Sequence, residues 1–552
     1  MSQIRDRKKT LGISVVLLAV LLFTAPELSP LNKDKNDGDS HPRVESSLWQ
    51  LYQVYFASGK EAARTFARQH GLVFENGRVQ IVAETDPEPS VQDLNVLVEV
   101  LGFEIEALGG RVETSYRHMV QNSVPIESLG LLADFPGTHY LRPPLRPIPL
   151  TVSEGVDRTG ADLWQGLVAY RGGGQAAKVC VLDVGFQGYE TLLGTELPAS
   201  TEAVSFRADG DIEANNPHGT ACAEIVHDMA PNAQLVLVNF GTDVEQHKAV
   251  EWLVSSGVEI ISYSSGWLSA GAGDGTGPIC EDVNTAQKAG ILWISAAGNS
   301  AERHWQEKFR DKNGNDWHDF SRSFKDEGEF FAFYVEKNEK FSIWLNWDDW
   351  GSWDGSSYSG SEGNDYDLYL YNADFNEIAS SKNKQTKGAL PIEGISQKPK
   401  ARGWRYIRVH KRSAPRDCRL ELFFTGAKDL EHVNPYGSLN VPADSPYALA
   451  VGATSWVDDD FHVYTSRGPT SDGRIKPDLV APSGVSTETY GKYGFYGTSA
   501  SAAHVAGAVA LLMEKSLYSM VQILEILSSR ALDLGPDGKD NLYGQGRLKL
   551  DK

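Results

Sequence analysis

The sequence predicts an α/β protein: a doubly wound parallel sheet, with an α+β domain before it and an antiparallel β-sandwich inserted into it. Three observations support this. Apolar strands alternate with helices over residues 177–299 and again from residue 445. Residues 300–440 instead carry short alternating segments rich in Trp, Tyr, Asp and Gly. A proline-rich stretch, RPPLRPIPL, separates both regions from residues 48–147.

The N-terminus has the pattern of an export signal. Four basic residues among the first nine precede an apolar run, Leu11–Ala25, that is shorter than the about 20 residues a membrane span needs. Residues 1–25 are therefore either a cleaved signal peptide or a retained signal anchor that attaches the protein to a membrane. Residues 26–47 form a polar linker, and the protein is expected to be secreted or extracytoplasmic.

Composition excludes some functions. The formal net charge is -21, which argues against a nucleic-acid partner because phosphate binding needs clustered Lys and Arg. Four cysteines in 552 residues are too few for a disulfide scaffold, so mostly buried thiols are expected.

Residues 48–147 predict a small α+β domain. The stretches SLWQLYQVYFASGKEAARTFARQ and VQDLNVLVEVLGFEIEALGG have helical apolar spacing, and RVQIVAE alternates as a strand does. The boundary is placed at about residue 148.

Residues 148–299 and 441–552 predict the parallel sheet. Strand patterns such as AKVCVLDVG, AQLVLVNF, VEIISYSSG and ILWISAAGN are separated by helices of ten or so residues. Ligands of such sheets bind outside the carboxyl ends of the strands, so functional residues are sought there.

The insert, residues 300–440, predicts the sandwich through FSIWLNW, DYDLYLYN, WRYIRVHK and RLELFFT. Within it, Asn346–Asp367 contains six acidic residues and no Lys or Arg. Oxygen ligands in a Gly-rich loop suit structural Ca²⁺, but a solvated acidic loop fits equally well and both interpretations stay open. The acidic residues are Asp348, Asp349, Asp354, Glu362, Asp365 and Asp367.

Three side chains at the predicted carboxyl edge have the types that nucleophilic hydrolysis needs. Asp183 ends a strand, His218 opens a helix and Ser499 opens an Ala-rich helix. A hydroxyl, an imidazole to take its proton and a carboxylate to orient the imidazole form such a set. Asn299 and the Ser499 backbone N–H could bind the developing oxyanion. Taken alone, Asp183 could merely cap a turn and His218 could merely neighbour a helix N-cap.

The blocks VLDVG, HGTACA, SAAGN and GTSASAAHVAG resemble, in order, the four signature blocks of the subtilisin-like serine proteases, the subtilases of peptidase family S8. The resemblance implies a subtilisin-like fold and an exported serine endopeptidase, made as a zymogen, that cleaves protein or peptide substrates through an acyl-enzyme and needs no cofactor for its chemistry. It implies Ser499 as nucleophile, His218 as base, Asp183 as orienting carboxylate and Asn299 as oxyanion donor. The implied substrate strand consists of Ser264, Ser265 and Gly266.

Ser501 and His504, in the same stretch as Ser499, are interpreted as packing residues. Ser501 should point away from the cleft, and His504 matches a structural histidine of the family. Cys222 is interpreted mainly as a small buried side chain. The related acid peptidases of the sedolisin type would need Glu in place of His218 and Asp in place of Asn299.

The flanking parts carry weaker resemblances. Residues 48–147 loosely resemble subtilase propeptides, which predicts self-cleavage near RPIPLTVSEG; a permanent docking domain is the alternative. The insert resembles the pre-peptidase C-terminal β-sandwich modules of secreted proteases. In the alternative function, the protein is a surface binding protein whose sandwich binds a partner and whose protease fold is a scaffold.

Overall fold

The computed structural model describes residues 41–69, 72–85, 91–144, 152–170, 176–321, 328–385, 389–514 and 518–551. The predicted signal, residues 1–25, and most of the predicted linker lie outside these ranges. No helix among the described residues combines the length and apolar character that crossing a membrane requires. The chain divides into two compact units, which meet in sequence at Pro147 and Ile148.

The first unit is an α+β fold. Its elements are α1 (Ser46–Gln69), β1 (Phe74–Glu75), β2 (Arg78–Glu84), α2 (Val91–Ala107), β3 (Arg111–Tyr116), β4 (Met119–Pro125), α3 (Leu129–Asp134) and β5 (Tyr140–Arg142). The strands form one antiparallel sheet in the order β1-β2-β4-β3, with β5 beside β2. Apolar residues from the helices and from one face of the sheet, among them Leu48, Ile81 and Leu101, form the core of this unit. Gly59 interrupts α1 with φ 84°, which kinks the helix because the left-handed region suits glycine.

The second unit opens with a run of alternating helices and strands. In chain order these are α4 (Gly155–Thr159), α5 (Ala161–Tyr170), β6 (Lys178–Asp183), α6 (Tyr189–Leu192), β7 (Glu202–Ser205), α7 (His218–Met229), β8 (Gln234–Asn239), α8 (Asp243–Ser255), β9 (Ile260–Tyr263), α9 (Pro278–Lys288) and β10 (Leu292–Ala296).

Nine antiparallel strands follow β10. They are β11 (His304–Lys308), β12 (Phe331–Val335), β13 (Phe341–Trp347), β14 (Asp365–Tyr371), β15 (Glu377–Ser381), β16 (Ile392–Gln397), β17 (Gly403–Ser413), β18 (Arg419–Thr425) and β19 (Ala427–Lys428). The orders β11-β18-β13-β16 and β15-β14-β17-β12-β19 make two sheets. Alternate residues of both sheets, including Phe341, Tyr366 and Ile407, face each other in one apolar core.

The chain then returns to the first sheet of this unit. The closing elements are β20 (Ala448–Ser455), β21 (Leu479–Ser483), β22 (Val485–Thr487), β23 (Gly491–Phe495), α10 (Thr498–Met513) and α11 (Met520–Arg530).

Seven parallel strands form the central sheet, in the order β21-β20-β10-β9-β6-β8-β7. Along β6, Val179 and Val181 pack with α7 and α10 on one face, whereas Cys180 and Leu182 pack with α8 and α9 on the other. Apolar residues on both faces explain the near-continuous hydrophobic strands in the sequence. The predicted doubly wound parallel sheet is confirmed.

Candidate active site

The residues predicted to do chemistry lie at element ends on the carboxyl side of the parallel sheet. Asp183 is the last residue of β6, His218 is the first of α7, and Ser499 is the second of α10. Helices that begin where parallel strands end bring their first residues to one edge of the sheet.

Asp183 and His218 form a buried pair. His218 Nδ1 lies 2.9 Å and 3.0 Å from the two carboxylate oxygens of Asp183. The Asp183 side chain is fully buried, and the His218 side chain is 26% exposed. Burial disfavours the imidazolium, but the charge and hydrogen bond of Asp183 outweigh it, so the pKa of His218 lies above its usual value. This arrangement leaves Nε2 available as a base and stabilises the cation formed when it takes a proton.

Ser499 is buried at the start of α10. Its hydroxyl donates to the carbonyl oxygen of Ser264 at 3.1 Å, and Ser264 Oγ donates to the Ser499 carbonyl oxygen at 3.1 Å. No hydrogen bond joins Ser499 Oγ to His218 among the described residues. Catalytic hydrogen bonds often form fully only with substrate bound, and the bond between Ser499 and His218 stays a prediction.

Asn299 follows the strand β10 and faces the start of α10. Its Oδ1 accepts hydrogen bonds from Thr498 N at 3.0 Å and Thr498 Oγ1 at 3.2 Å. Its Nδ2 lies close enough to Gly497 that a Cβ added there would be 3.2 Å away. Because Oδ1 is held, the amide N–H groups are left as donors beside the first residues of a helix, where the dipole also favours negative charge.

The backbone after β9 offers an unpaired edge. Ser265 and Gly266 have no backbone hydrogen bond in the described part of the chain, whereas Trp267 pairs with Val441 in both directions at 2.8 Å and 3.0 Å. Binding of a peptide to residues 264–266 as an extra strand stays a prediction.

Sequence reasoning did not identify Asn440, which packs against the backbone at Gly266 and at Gly298. A Cβ on Gly266 would meet Asn440 Cβ at 2.8 Å, and one on Gly298 would meet Asn440 Cγ at 2.5 Å. Asn440 Oδ1 accepts a hydrogen bond from Ser300 Oγ at 2.9 Å, which fixes the amide. Asn440 therefore packs against both the backbone that follows β9 and the backbone that follows β10.

Cys222 lies one turn after His218 on α7. The side-chain atoms of Asp183, His218 and Cys222 that could bind a metal ion all lie within 4.8 Å of one another. Among the described residues, no other group of three His, Cys, Asp or Glu side chains is arranged to hold a metal ion. Burial raises the pKa of the Cys222 thiol well above its usual value, so the thiol stays protonated. All four cysteines are buried and free, as predicted.

Ser501 and His504 lie on the inner side of α10. Ser501 Oγ donates to the Ala481 carbonyl at 2.9 Å. His504 is fully buried, with Nε2 2.7 Å from Ser153 Oγ. Burial lowers the pKa of His504 to about 4, which keeps the ring neutral. Both side chains therefore pack and hydrogen-bond within the fold.

Several carboxylates of the acidic segment, residues 346–367, already accept hydrogen bonds from other groups of the protein. Asp348 accepts from Arg416 Nη1 at 3.0 Å and from Arg419 N at 2.8 Å. Asp349 accepts from Ser361 Oγ and Glu362 N, and Asp354 accepts from the backbone of its own turn. Glu362 is exposed, and Asp365 and Asp367 lie buried on β14. Calcium binding by this segment stays a prediction.

Known proteins resemble the second unit. Residues 174–319 and 426–546 match the model of Peptidase S8, the subtilase family. Subtilisin Savinase of Lederbergia lenta is 37% identical over 120 residues, which are 21% of this chain and 40% of that enzyme. An extracellular serine protease of Serratia marcescens is 47% identical over 55 residues, 10% of this chain and 5% of that protein. The chain spans less than half the length of these curated relatives.

One solved structure shares the fold. The CspB protease of Clostridium perfringens superposes with a TM-score of 0.51 at 16% sequence identity. The superposition covers 71% of this chain and 97% of that one. At this identity the likeness extends to the fold alone.

Proposed function

The second unit belongs to the subtilase family, and from that premise we propose that the protein is a serine endopeptidase that cleaves protein or peptide substrates through an acyl-enzyme on Ser499. The observation that carries the proposal is the Asp183–His218 pair beside the N-terminus of α10. The proposed chemistry uses side chains and one backbone N–H of the protein itself, without a cofactor.

In the proposed reaction, Ser499 Oγ attacks the scissile carbonyl carbon while His218 Nε2 takes the hydroxyl proton. Asp183 keeps the proton on Nδ1 and stabilises the imidazolium. The oxyanion accepts hydrogen bonds from Asn299 Nδ2 and Ser499 N. His218 then passes its proton to the leaving amine, and water, activated by the same imidazole, hydrolyses the ester.

Substitution of Ser499 tests the proposal. The full chain and Ser499→Ala are incubated with a peptide library over a range of pH from neutral upward, because the raised pKa of His218 delays formation of the neutral base, and the products are identified by mass spectrometry. Ser499→Ala should lose at least about 10⁴-fold in kcat. Asn299→Ala should lose about 10²-fold or more.

The matched control is Ser501→Ala, because Ser501 lies on the same helix and donates to the Ala481 carbonyl. It should keep wild-type cleavage. Equal cleavage by wild type and Ser499→Ala would exclude a serine peptidase.

We also propose that the protein is exported through residues 1–25 and made as a zymogen whose first unit is a propeptide. The charged and apolar N-terminal pattern supports export, and the separate core of the first unit, joined through RPIPLTVSEG, supports cleavage at that junction. N-terminal sequencing of active enzyme should give a start near that stretch, and Ser499→Ala should stay uncut. A fully active enzyme that retains its first unit would contradict the zymogen proposal.

A further inference from the structure

The sandwich contacts the catalytic part of the second unit beside the proposed substrate strand. The connection between β13 and β14, residues 348–364, contacts a loop of residues 268–277. This loop begins directly after Trp267, which pairs with Val441. The family match covers the loop 268–277 but not residues 320–425. The contact is therefore made by a segment that the family model does not include.

The loop 268–277 is glycine-rich and is held by other segments of the chain. Every second residue from Gly271 to Gly277 is glycine, and three of these glycines have φ between 71° and 111°. Such backbone loses much conformational entropy when ordered. Within the catalytic part, Asp444 Oδ2 accepts from Gly275 N at 2.9 Å and Arg474 Nη2 donates to the Asp274 carbonyl oxygen at 2.6 Å. The loop therefore depends on anchors from neighbouring segments.

Tyr358, from the connection in the sandwich, is one anchor. Its Oη accepts a hydrogen bond from Ala272 N at 3.2 Å and lies 3.1 Å from Thr276 Oγ1. A Cβ on Gly277 would lie 2.7 Å from Oη, so the glycine permits this approach. The Tyr358 ring lies 4.9 Å from the Trp353 ring. Burial raises the pKa of Tyr358 to about 12, so the hydroxyl keeps its proton in solution near neutrality.

Asn346, near the end of β13, is a second anchor. Its Nδ2 donates to Ser269 Oγ at 3.0 Å and to Glu421 Oε2 at 2.8 Å. Asn346 is 4% exposed and Ser269 is 6% exposed, so these bonds are shielded from water. The sandwich thus holds the loop at both ends.

We propose that Tyr358 is a positioning residue, which fixes the loop 268–277 and through it the edge Ser264–Gly266 that receives the peptide. This inference rests on the proposed function of that edge. The sandwich then acts as part of the substrate cleft. Because Tyr358 makes no contact with Asp183, His218 or Ser499 among the described residues, its loss should affect substrate binding and leave the chemical step intact.

Tyr358→Phe tests the inference because it removes the hydroxyl and keeps the ring against Trp353. KM for a peptide substrate should rise about threefold to tenfold, as expected for one or two lost hydrogen bonds, with kcat within twofold of wild type. The control is Tyr369→Phe, which removes a hydroxyl that donates to Asp367 within the same sandwich. The control should keep wild-type KM and kcat.

Thr276→Val removes the loop hydroxyl that contacts Tyr358 Oη. It should also raise KM, and the double variant with Tyr358→Phe should raise it by less than the product of the single effects because both remove one shared contact. Independent effects of the two substitutions would overturn the inference, and so would an unchanged KM in Tyr358→Phe.

Labelling with a fluorophosphonate separates the two proposals. Wild type that is not labelled at Ser499 would overturn the proposed function. If Tyr358→Phe labels fully, keeps the wild-type Tm and shows the KM increase alone, the positioning role is supported. A parallel fall in kcat and Tm would indicate a structural role and overturn it.

Discussion

If Ser264–Gly266 bind a peptide as proposed, Asn440 should border the gap that receives the side chain of the residue preceding the scissile bond. Asn440 packs directly against Gly266 and Gly298, where an added Cβ would lie 2.8 Å from its Cβ and 2.5 Å from its Cγ. The hydrogen bond from Ser300 holds it there. We therefore expect a preference for small or polar side chains at this substrate position.

Asn440→Gly should enlarge this gap and shift specificity. The ratio of kcat/KM for Phe over Ala at that substrate position should rise about tenfold or more, because pocket space for several carbons changes discrimination by about 1–3 kcal/mol. A peptide library read by mass spectrometry measures the ratio. Asn313→Gly, on an exposed turn of the sandwich, should leave the ratio unchanged. An unaltered ratio in Asn440→Gly would remove Asn440 from the pocket.

Sequence reasoning identified the site residues that begin or end helices and strands. It missed Asn440, which is distant from them in the chain. Asp183, His218, Asn299 and Ser499 each follow a strand pattern or open a helix pattern, so the edge rule for parallel sheets applies to them. Asn440 has no such mark, because the whole insert separates it from Asn299 in the chain. No local pattern pairs residues across such an interval.

At the scale of elements, α10 and α7 pack with their backbones unusually close. Every residue of α10 from Thr498 to Leu512 is buried, which explains its small side chains. A Cβ on Gly507 would lie 2.3 Å from Met229 Cβ and 3.1 Å from the Val226 carbonyl oxygen. This contact fixes the two helices that carry Ser499 and His218 relative to each other.

Gly507→Ala should therefore destabilise the protein although alanine is the better helix former. Overpacking costs about 1–3 kcal/mol, more than the roughly 0.5–1 kcal/mol gained from helix propensity. Thermal unfolding in a Ser499→Ala background, which prevents self-digestion, measures the change. Gly166→Ala in α5 is the control: nothing lies within 4 Å of its Cβ, so it should raise Tm. A Tm increase in both variants would show that α10 and α7 can move apart to admit the added methyl group without a loss of stability.

In the sandwich, the sequence pattern predicted the strands but not the contacts between distant segments. Alternation in the sequence predicts strands but not their partners, so the contact of Tyr358 with Ala272 had no sequence signal. The acidic segment likewise contains no Lys or Arg of its own, and Arg416 reaches Asp348 from the turn before β18. Charge counted along a segment therefore overstates the charge that the folded segment presents.

At the scale of the whole molecule, the formal net charge of -21 counts two carboxyl groups that the fold keeps largely protonated near neutral pH. Glu224 and Asp228 lie one turn apart on α7, the helix of His218. Burial is the main reason that the pKa of Glu224 rises to about 7 and that of Asp228 to about 8, and nearby carboxylates such as Glu196 raise both further. Asp228 accepts a hydrogen bond from Ser153 N at 2.8 Å, and Glu224 accepts one from Glu488 N at 2.5 Å.

These carboxyl groups make stability fall as pH rises. Between the unfolded pKa values near 4 and the folded values of about 7 and 8, the folded chain binds more protons than the unfolded chain. The free energy of unfolding therefore decreases through this window and levels off above about pH 8. Asp228→Asn keeps an acceptor for Ser153 N and removes the ionisation.

In a Ser499→Ala background, the Tm of Asp228→Asn minus that of the parent should therefore increase from pH 4 to pH 8 and reach a few degrees at pH 9. Asp374→Asn, on an exposed turn of the sandwich, provides the control, and its Tm difference should change little over the same range. The pH at which the difference levels off reports the folded pKa directly. A Tm difference that is constant with pH would mean that Asp228 has the same pKa in the folded and the unfolded chain. The ionised Asp228 side chain would then not lower the free energy of unfolding.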